Sequence, residues 1–129
     1  MPKVLVIDDS RTTRMFYRET LEAAGFGVDE ALNGLEGLEK TMERSFDLIV
    51  VDLNMPKMDG YTFLAQLRRS GDLQAVPAIM ISTQARDADQ IKAYAAGANV
   101  YIVKPVDAKE LARHCLLMTG QAPSDRISA

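Results

Sequence analysis

This chain is short of several things, and each shortage narrows what it can be. It has one cysteine, Cys115, which excludes an internal disulfide and fits a reducing compartment. No apolar run approaches the ~20 residues of a membrane span, and the amino terminus enters an apolar segment behind a single lysine. Neither a membrane anchor nor a secretory leader is expected, and the cytoplasm is the expected location. Net charge is −3, so the chain carries no surplus of cations for nucleic-acid phosphates. The one histidine, His114, falls on or near the surface of the last predicted helix and gives histidine catalysis no centre. Internal repeats and linker-like segments are missing. The 129 residues, 47% hydrophobic and 26% charged, suit one domain with a core large enough to fold unaided. That domain is expected over residues 1–120, with residues 121–129 as a loose tail without periodicity.

What is present is organised around Phe46 to Gly60. Leu48-Ile49-Val50-Val51 is a short, β-branched apolar run, the pattern of a strand buried on both faces in a parallel sheet. It stops on Asp52, and Pro56 and Gly60 then mark a loop. Lys3 to Ile7 is a second such run, closed by Asp8 and Asp9. Ser10 is placed to cap a helix carrying Thr13, Phe16, Tyr17, Thr20, Leu21 and Ala24, with Gly25 closing it. Val28 to Ala31 is a half-polar strand suited to a sheet edge. Leu35, Leu38 and Met42 form the next helical stripe, ending near Ser45. Phe63, Leu64 and Leu67 mark a third helix, and a polar connection, Ser70-Gly71-Asp72, leads to the strand Ala78 to Ser82. A fourth helix would turn Ala88, Ile91 and Ala95 inward and stop at Gly97. Val100 to Val103 is the last strand. Asp107 can cap a final helix with Leu111, Cys115 and Met118 inward and Gly120 after it. The methionines read as packing, and Asp59 reads as a turn residue before Gly60. Strands alternating with helices predict an α/β fold with a parallel sheet and helices on both faces.

In such a sheet, ligands collect at the carboxyl ends of the strands. Asp8, Asp9, Asp52, Ser82 and Lys104 all fall at those ends. Strands lie ~4.8 Å apart, so side chains from neighbouring tips can converge. Two carboxylates ~4 Å apart repel by ~4 kcal/mol at an effective dielectric of about 20, and a hard divalent cation removes that penalty. Mg²⁺ takes a few oxygens at ~2.1 Å and keeps several waters. An aspartate beside such a cation, with a lysine and a hydroxyl at hand, suits attack on a phosphoryl group.

Asp8-Asp9, Asp52-Leu53-Asn54-Met55-Pro56 with Gly60, Ser82, and Tyr101-Ile102-Val103-Lys104-Pro105 together resemble the receiver domain of two-component response regulators, among them the stand-alone chemotaxis (CheY-like) type. The order and spacing hold over residues 3–119. The resemblance implies a flavodoxin-like, doubly wound five-stranded parallel sheet in the order 2-1-3-4-5 with five helices. It implies Asp52 as the phosphoacceptor, supplied by a histidine kinase. Asp9, Asp52 and the backbone carbonyl of Asn54 would ligate Mg²⁺ directly (Mn²⁺ is the other cation admitted), and Asp8 through water. Lys104 would contact the phosphoryl group, Ser82 would move to it, and Tyr101 would turn inward as an aromatic switch. Pro56, Gly60 and Pro105 would support the loops, the Lys104–Pro105 peptide being cis in the family. Asn54 and Gln84 would tune hydrolysis. Two positions depart from the pattern: Thr83 stands where alanine is usual, and Val100 replaces a glycine common in chemotaxis members.

The resemblance further implies a single-domain, monomeric regulator acting by protein contact, through a face built from residues 86–96, Tyr101 and residues 107–118. A chemotaxis or motility target and a phosphatase are the partners it suggests, with no nucleic acid and no membrane. The other reading is a phosphate sink or phosphorelay intermediate without its own output target. Two further classes fail on residues. Aspartate-nucleophile phosphatases place a second acid two residues after the nucleophile, where this chain has Asn54. A flavin carrier needs a phosphate-cradling loop after the first strand, where Asp8 and Asp9 would repel the phosphate. The chain is therefore read as a signalling module and not an enzyme beyond its own phosphotransfer and dephosphorylation.

Overall fold

A computed structural model describes residues 1–71 and 75–121. Asp72 of the expected polar connection and residues 122–129 of the expected tail lie outside the described residues. The elements run β1 (Lys3–Ile7), α1 (Arg11–Ala23), β2 (Gly27–Ala31), α2 (Gly34–Glu43), β3 (Leu48–Asp52), α3 (Gly60–Arg68), β4 (Ala78–Ser82), α4 (Asp87–Ala96), β5 (Val100–Val103) and α5 (Ala108–Met118). The sheet is parallel throughout, in the order β2-β1-β3-β4-β5.

Alternation along the strands splits the core in two. Leu5, Ile7, Ile49, Val51 and Met80 face Phe63, Leu64, Leu67 and Ala93 of α3 and α4. Val4, Val6, Leu48, Val50 and Ile81 face Tyr17 and Leu21 of α1 and Leu111, Cys115 and Leu116 of α5. The whole of β3 is buried, each large apolar side chain contributing ~1.5–3 kcal/mol, which explains a run without alternation. Cys115 is fully buried, and burial pushes its thiol pKa up to about 12.

Helices α2 and α4 turn different faces inward from their sequence expectation, and α1 and α5 depart from theirs at single residues. Along α2, Leu35 and Met42 are exposed, and Gly34, Gly37 and Thr41 face the core with Leu38 packed beside them. A β-carbon at Gly37 would lie 2.6 Å from Ile7 Cδ1, so α2 approaches the sheet on its smallest residues. Along α4, Ala88, Ile91 and Ala95 point outward, and Asp89 and Ala93 are buried instead. Its apolar residues are too evenly spread for periodicity to choose a face. In α1, Phe16 is exposed and Arg14 is buried beside Tyr17 and Leu21. Met118 is only half-buried in α5. Asp59 is the N-cap of α3, its side chain accepting from Thr62 N.

Candidate functional site

Register brings the strand tips together. Ile7 is level with Val51, which puts Asp8 beside Asp52, and Ser82 is level with Val103, which puts Lys104 just beyond it. Carboxylate oxygens of Asp8, Asp9 and Asp52 lie within 4.8 Å of one another. Asp8 and Asp52 are buried and Asp9 is exposed, so the cluster opens to solvent on one side.

Burial makes this charge expensive. It pushes the Asp8 carboxyl up to about 6, opposed by the Ser10 N–H and assisted by the negative charge of Asp52. Asp52 is also raised by burial, against the pull of Lys104. Lys104 Nζ stands 2.9 Å from Asp52 Oδ1 as an ion pair, but its alignment does not make a hydrogen bond. Burial lowers the Lys104 pKa and the Asp52 carboxylate more than restores it, so the ammonium stays charged. Among the described residues, Asp8 Oδ2 and Asp52 Oδ1 are the buried side-chain oxygens or nitrogens that lack a hydrogen-bond donor. Two donor-less buried oxygens and a third, solvated carboxylate form an all-oxygen set that fits a hard, partly hydrated divalent cation.

The loop after β3 is held close to this cluster. Asn54 is exposed, and its backbone N–H helps to hold the Asp52 charge. Pro56 is exposed; its carbonyl accepts from Met58 N at 2.8 Å across Lys57, whose φ is +70°. That tight turn buries Met55 and Met58 and delivers Gly60, whose N–H donates to Leu53 O at 2.9 Å. A β-carbon at Gly60 would come 2.8 Å from the Asp52 carbonyl oxygen, so only glycine permits the approach.

On the other side, Ser82 is fully buried and its Oγ accepts from Gln84 N at 3.0 Å. The Gln84 carbonyl in turn accepts from Tyr101 Oη at 2.7 Å, and the Tyr101 ring is half-buried against the α3–α4 side of the core. Ser82 and Tyr101 are thus linked through the backbone of one residue. Lys104 N donates to Ser82 O at 2.8 Å, and the Lys104–Pro105 peptide is cis. A hollow of about 550 Å³ beside the cluster is lined by Thr13, Phe16, Tyr17, Thr83, Lys104 and Pro105. Burial and the charges of Asp8 and Asp52 raise the Tyr17 pKa, so its hydroxyl stays protonated.

The sequence-predicted residues Asp8, Asp9, Asp52, Ser82 and Lys104 therefore converge, and Gln84 and Tyr101 form a chain leading away from them. Three residues of the surroundings carried no sequence signal. Tyr17 reads as an ordinary core position, and Lys57 is not a residue type that announces a positive φ. Arg14 meets its partner Glu30 sixteen positions away, on another element.

Comparison with known proteins agrees with this geometry. The family model of the response regulator receiver domain matches residues 4–115. The chain is 40% identical over 110 residues to the sensor histidine kinase CheAY of Helicobacter pylori, covering 84% of this chain and 14% of that protein. It is 38% identical over 109 residues to the transcriptional regulatory protein ResD of Bacillus subtilis, covering 84% of this chain and 44% of that one. The chain thus spans less than half the length of either curated relative. The crystal structure of chemotaxis protein CheY4 of Vibrio cholerae superposes with a TM-score of 0.87 at 33% identity, covering 92% of this chain and 98% of that one.

Proposed function

Because this chain belongs to the response regulator receiver domain family, we propose that it takes a phosphoryl group from a histidine kinase onto Asp52 and thereby changes which protein it binds. Receiver domains are signalling modules with an acidic, Mg²⁺-binding pocket, and no helix among the described residues is long and apolar enough to cross a membrane. The observation that carries the reading is the convergence of three carboxylates within 4.8 Å beside an ammonium 2.9 Å from the buried Asp52 carboxylate.

Asp52 is the nucleophile. One of its oxygens forms the new bond to phosphorus as the nitrogen–phosphorus bond of the donor phosphohistidine breaks, and the imidazole leaves with that bond's electron pair. Asp8, Asp9, Asp52 and the Asn54 carbonyl would hold Mg²⁺, with Mn²⁺ as a substitute, and the bound cation would neutralise charge on the phosphoryl oxygens. Lys104 leaves its ion pair with Asp52 and engages one phosphoryl oxygen as a point charge. Ser82 moves to donate its hydroxyl to another, and the movement draws Oγ away from the Gln84 N–H that it accepts now. That release loosens the Gln84 carbonyl held by Tyr101, so the ring is free to turn further inward. Asn54 and Gln84, both exposed beside the site, set access of the hydrolytic water.

The output surface is the face of α4, β5 and α5, where Ile91, Tyr94 and Leu117 are exposed. Similarity to a chemotaxis protein favours a chemotaxis or motility target there. The direct test is labelling with a small acyl phosphate and Mg²⁺, followed by capture of partners on unmodified protein and on protein carrying a beryllofluoride mimic. One base-labile phosphoryl group, lost in Asp52→Asn, is expected, together with a partner bound only by the mimic form. Labelling that survives Asp52→Asn would overturn the acceptor assignment, and labelling without any state-specific partner would leave the phosphate-sink role.

A further inference from the structure

Asp8 is held on nearly every side. Its N–H donates to Ala31 O at 3.1 Å, and its Oδ1 accepts from Ser10 N at 2.8 Å. Its carbonyl accepts from Arg14 Nη1 at 2.7 Å, a contact buried under α1. The remaining polar atom, Oδ2, is buried and without a donor. The carbonyl that Arg14 grips belongs to the peptide joining Asp8 to Asp9, so its orientation fixes where both acidic side chains start.

Arg14 is itself aimed from elsewhere. Its Nε donates to Glu30 Oε1 at 2.9 Å, and the guanidinium side chain is only 9% exposed. Glu30 is also gripped from above by Arg18, at 2.6 Å. A planar guanidinium with fixed donor directions transmits the position of Glu30 on β2 to the Asp8–Asp9 peptide, which a flexible ammonium would do less well. Fold stability alone does not single out a guanidinium at a helix position facing the core, where desolvating a charge is costly.

We propose that Arg14, oriented by Glu30, is a positioning residue that presets the Asp8–Asp9 pair for the divalent cation. This rests on the cation-binding reading of the acidic cluster. It makes a prediction whose sign separates it from simple electrostatics. Deleting a cation near an acidic site would tighten binding of another cation, because one repulsion disappears. Deleting a positioning residue weakens it, because the two carboxylates must then be ordered at the moment of binding. Groups that orient metal ligands typically change affinity 10- to 100-fold, and Arg14 acts through a peptide carbonyl, so roughly tenfold is expected.

The experiment is a Mg²⁺ titration followed by amide NMR shifts of Asp9 and Asp52, which report on folded molecules alone, beside urea unfolding of the same proteins. Wild type, Arg14→Met, Arg14→Lys and Arg18→Met are compared. Arg14→Met should raise the Mg²⁺ dissociation constant roughly tenfold. Arg14→Lys, which can still donate to the Asp8 carbonyl, should recover part of that loss. Arg18→Met removes a Glu30 partner that does not touch the acidic peptide, so it should lower stability and leave Mg²⁺ affinity within about twofold of wild type. If Arg14→Met binds Mg²⁺ as tightly as wild type or more tightly, or if Arg18→Met weakens it equally, the positioning role is overturned while the cation reading stands. If wild type shows no Mg²⁺-dependent shift at Asp9 and Asp52, the cation reading falls and this inference with it.

Discussion

The two edges of the sheet are built in opposite ways. β2 is the more polar strand and the more firmly fastened. Its Asp29 pairs with Lys40 of α2 and with Arg44, which caps that helix, on one face, at 3.0 and 2.7 Å, and its Glu30 pairs with Arg14 and Arg18 of α1 on the other. Lys40 also donates to the Glu30 carbonyl. β5 is almost entirely apolar, half-buried along its length, and among the described residues no ion pair fastens its four strand residues. Tyr101 is secured by one hydrogen bond to a loop carbonyl. Ion pairs and guanidinium hydrogen bonds are directional and hold an element in one place. Apolar contact is not directional and tolerates a changed rotamer at little cost. The clasped edge therefore lies beside the acidic pair proposed to be preset, and the unclasped edge beside the residues proposed to move.

The largest test of this contrast uses the phosphoryl mimic. Beryllofluoride with Mg²⁺ should shift amide resonances strongly in α4, β5 and the loop after Ser82 and weakly in β2, and Asp52→Asn should abolish all of it along with phosphoryl uptake. Shifts in β2 equal to those in β5 would break the comparison.

Next in size is the energetic difference between the edges. Glu30→Ala leaves the buried Arg14 guanidinium without its carboxylate and should cost about 2 kcal/mol in urea unfolding at neutral pH. Tyr101→Phe removes one exposed-side hydrogen bond and should cost only ~0.5 kcal/mol. Equal costs would mean that the clasps are ornamental.

Acid sharpens the contrast because the two groups of carboxylates titrate with opposite sign. Burial raises Asp8 to about 6 from an ordinary 3.8, so the folded state holds that proton more tightly than the unfolded chain. The stability this gives is fully present below the ordinary value and lost as pH rises through about 6. Burial also pushes up Asp29 and Glu30, but the hydrogen bonds from Lys40 to Asp29 and from Arg18 and Arg14 to Glu30 outweigh it and lower both. Their stability is present above the ordinary carboxylate range and lost as pH falls through the lowered values. Without divalent cation, stability should therefore rise by on the order of 1–2 kcal/mol from pH 7 to pH 5, then fall below pH 4. Asp8→Asn should flatten the first limb and Glu30→Gln the second, each read from urea midpoints across pH. A first limb unchanged in Asp8→Asn would refute the assignment.

The smallest effect sets the floor for reading the others. Lys57 carries a positive φ between the two edges, a conformation asparagine tolerates better, so Lys57→Asn should stabilise by ~0.5 kcal/mol without altering phosphoryl uptake.

Most of the site was legible because it is written where strands end. Leu48 to Val51 and Lys3 to Ile7 announce buried strands, and the acids that stop them can only lie at the sheet's carboxyl edge. The order of the strands came from resemblance, since alternation alone leaves it open. What stayed hidden depends on contacts between distant elements. Arg14 carries no sequence signal, because its partner Glu30 lies sixteen positions away on another element. Gly34 and Gly37 offer no apolar side chain to a helical stripe, yet they form the buried face of α2 because Met58 stands close to the first and Ile7 to the second. The evenly apolar α4 offers no stripe, so the outward orientation of Ile91 could not be chosen from sequence. Asp29 and Glu30 make their strand half-polar, and the cations that answer them come from helices on either side.

Cys115 gives this protein a built-in stopwatch. It is the chain's one thiol, fully buried between α5 and the sheet, with its pKa pushed up to about 12, so the thiolate that reacts with an alkylating or disulfide reagent is almost absent while α5 stays docked. Modification must wait for that helix to lift. Its rate at neutral pH, read without any mutation, reports the population of those openings while reclosing outpaces the reagent, and their frequency once reagent is in excess of that. Because α5 also forms part of the proposed output face, comparing the rate with and without the phosphoryl mimic times the signal on the helix that would deliver it.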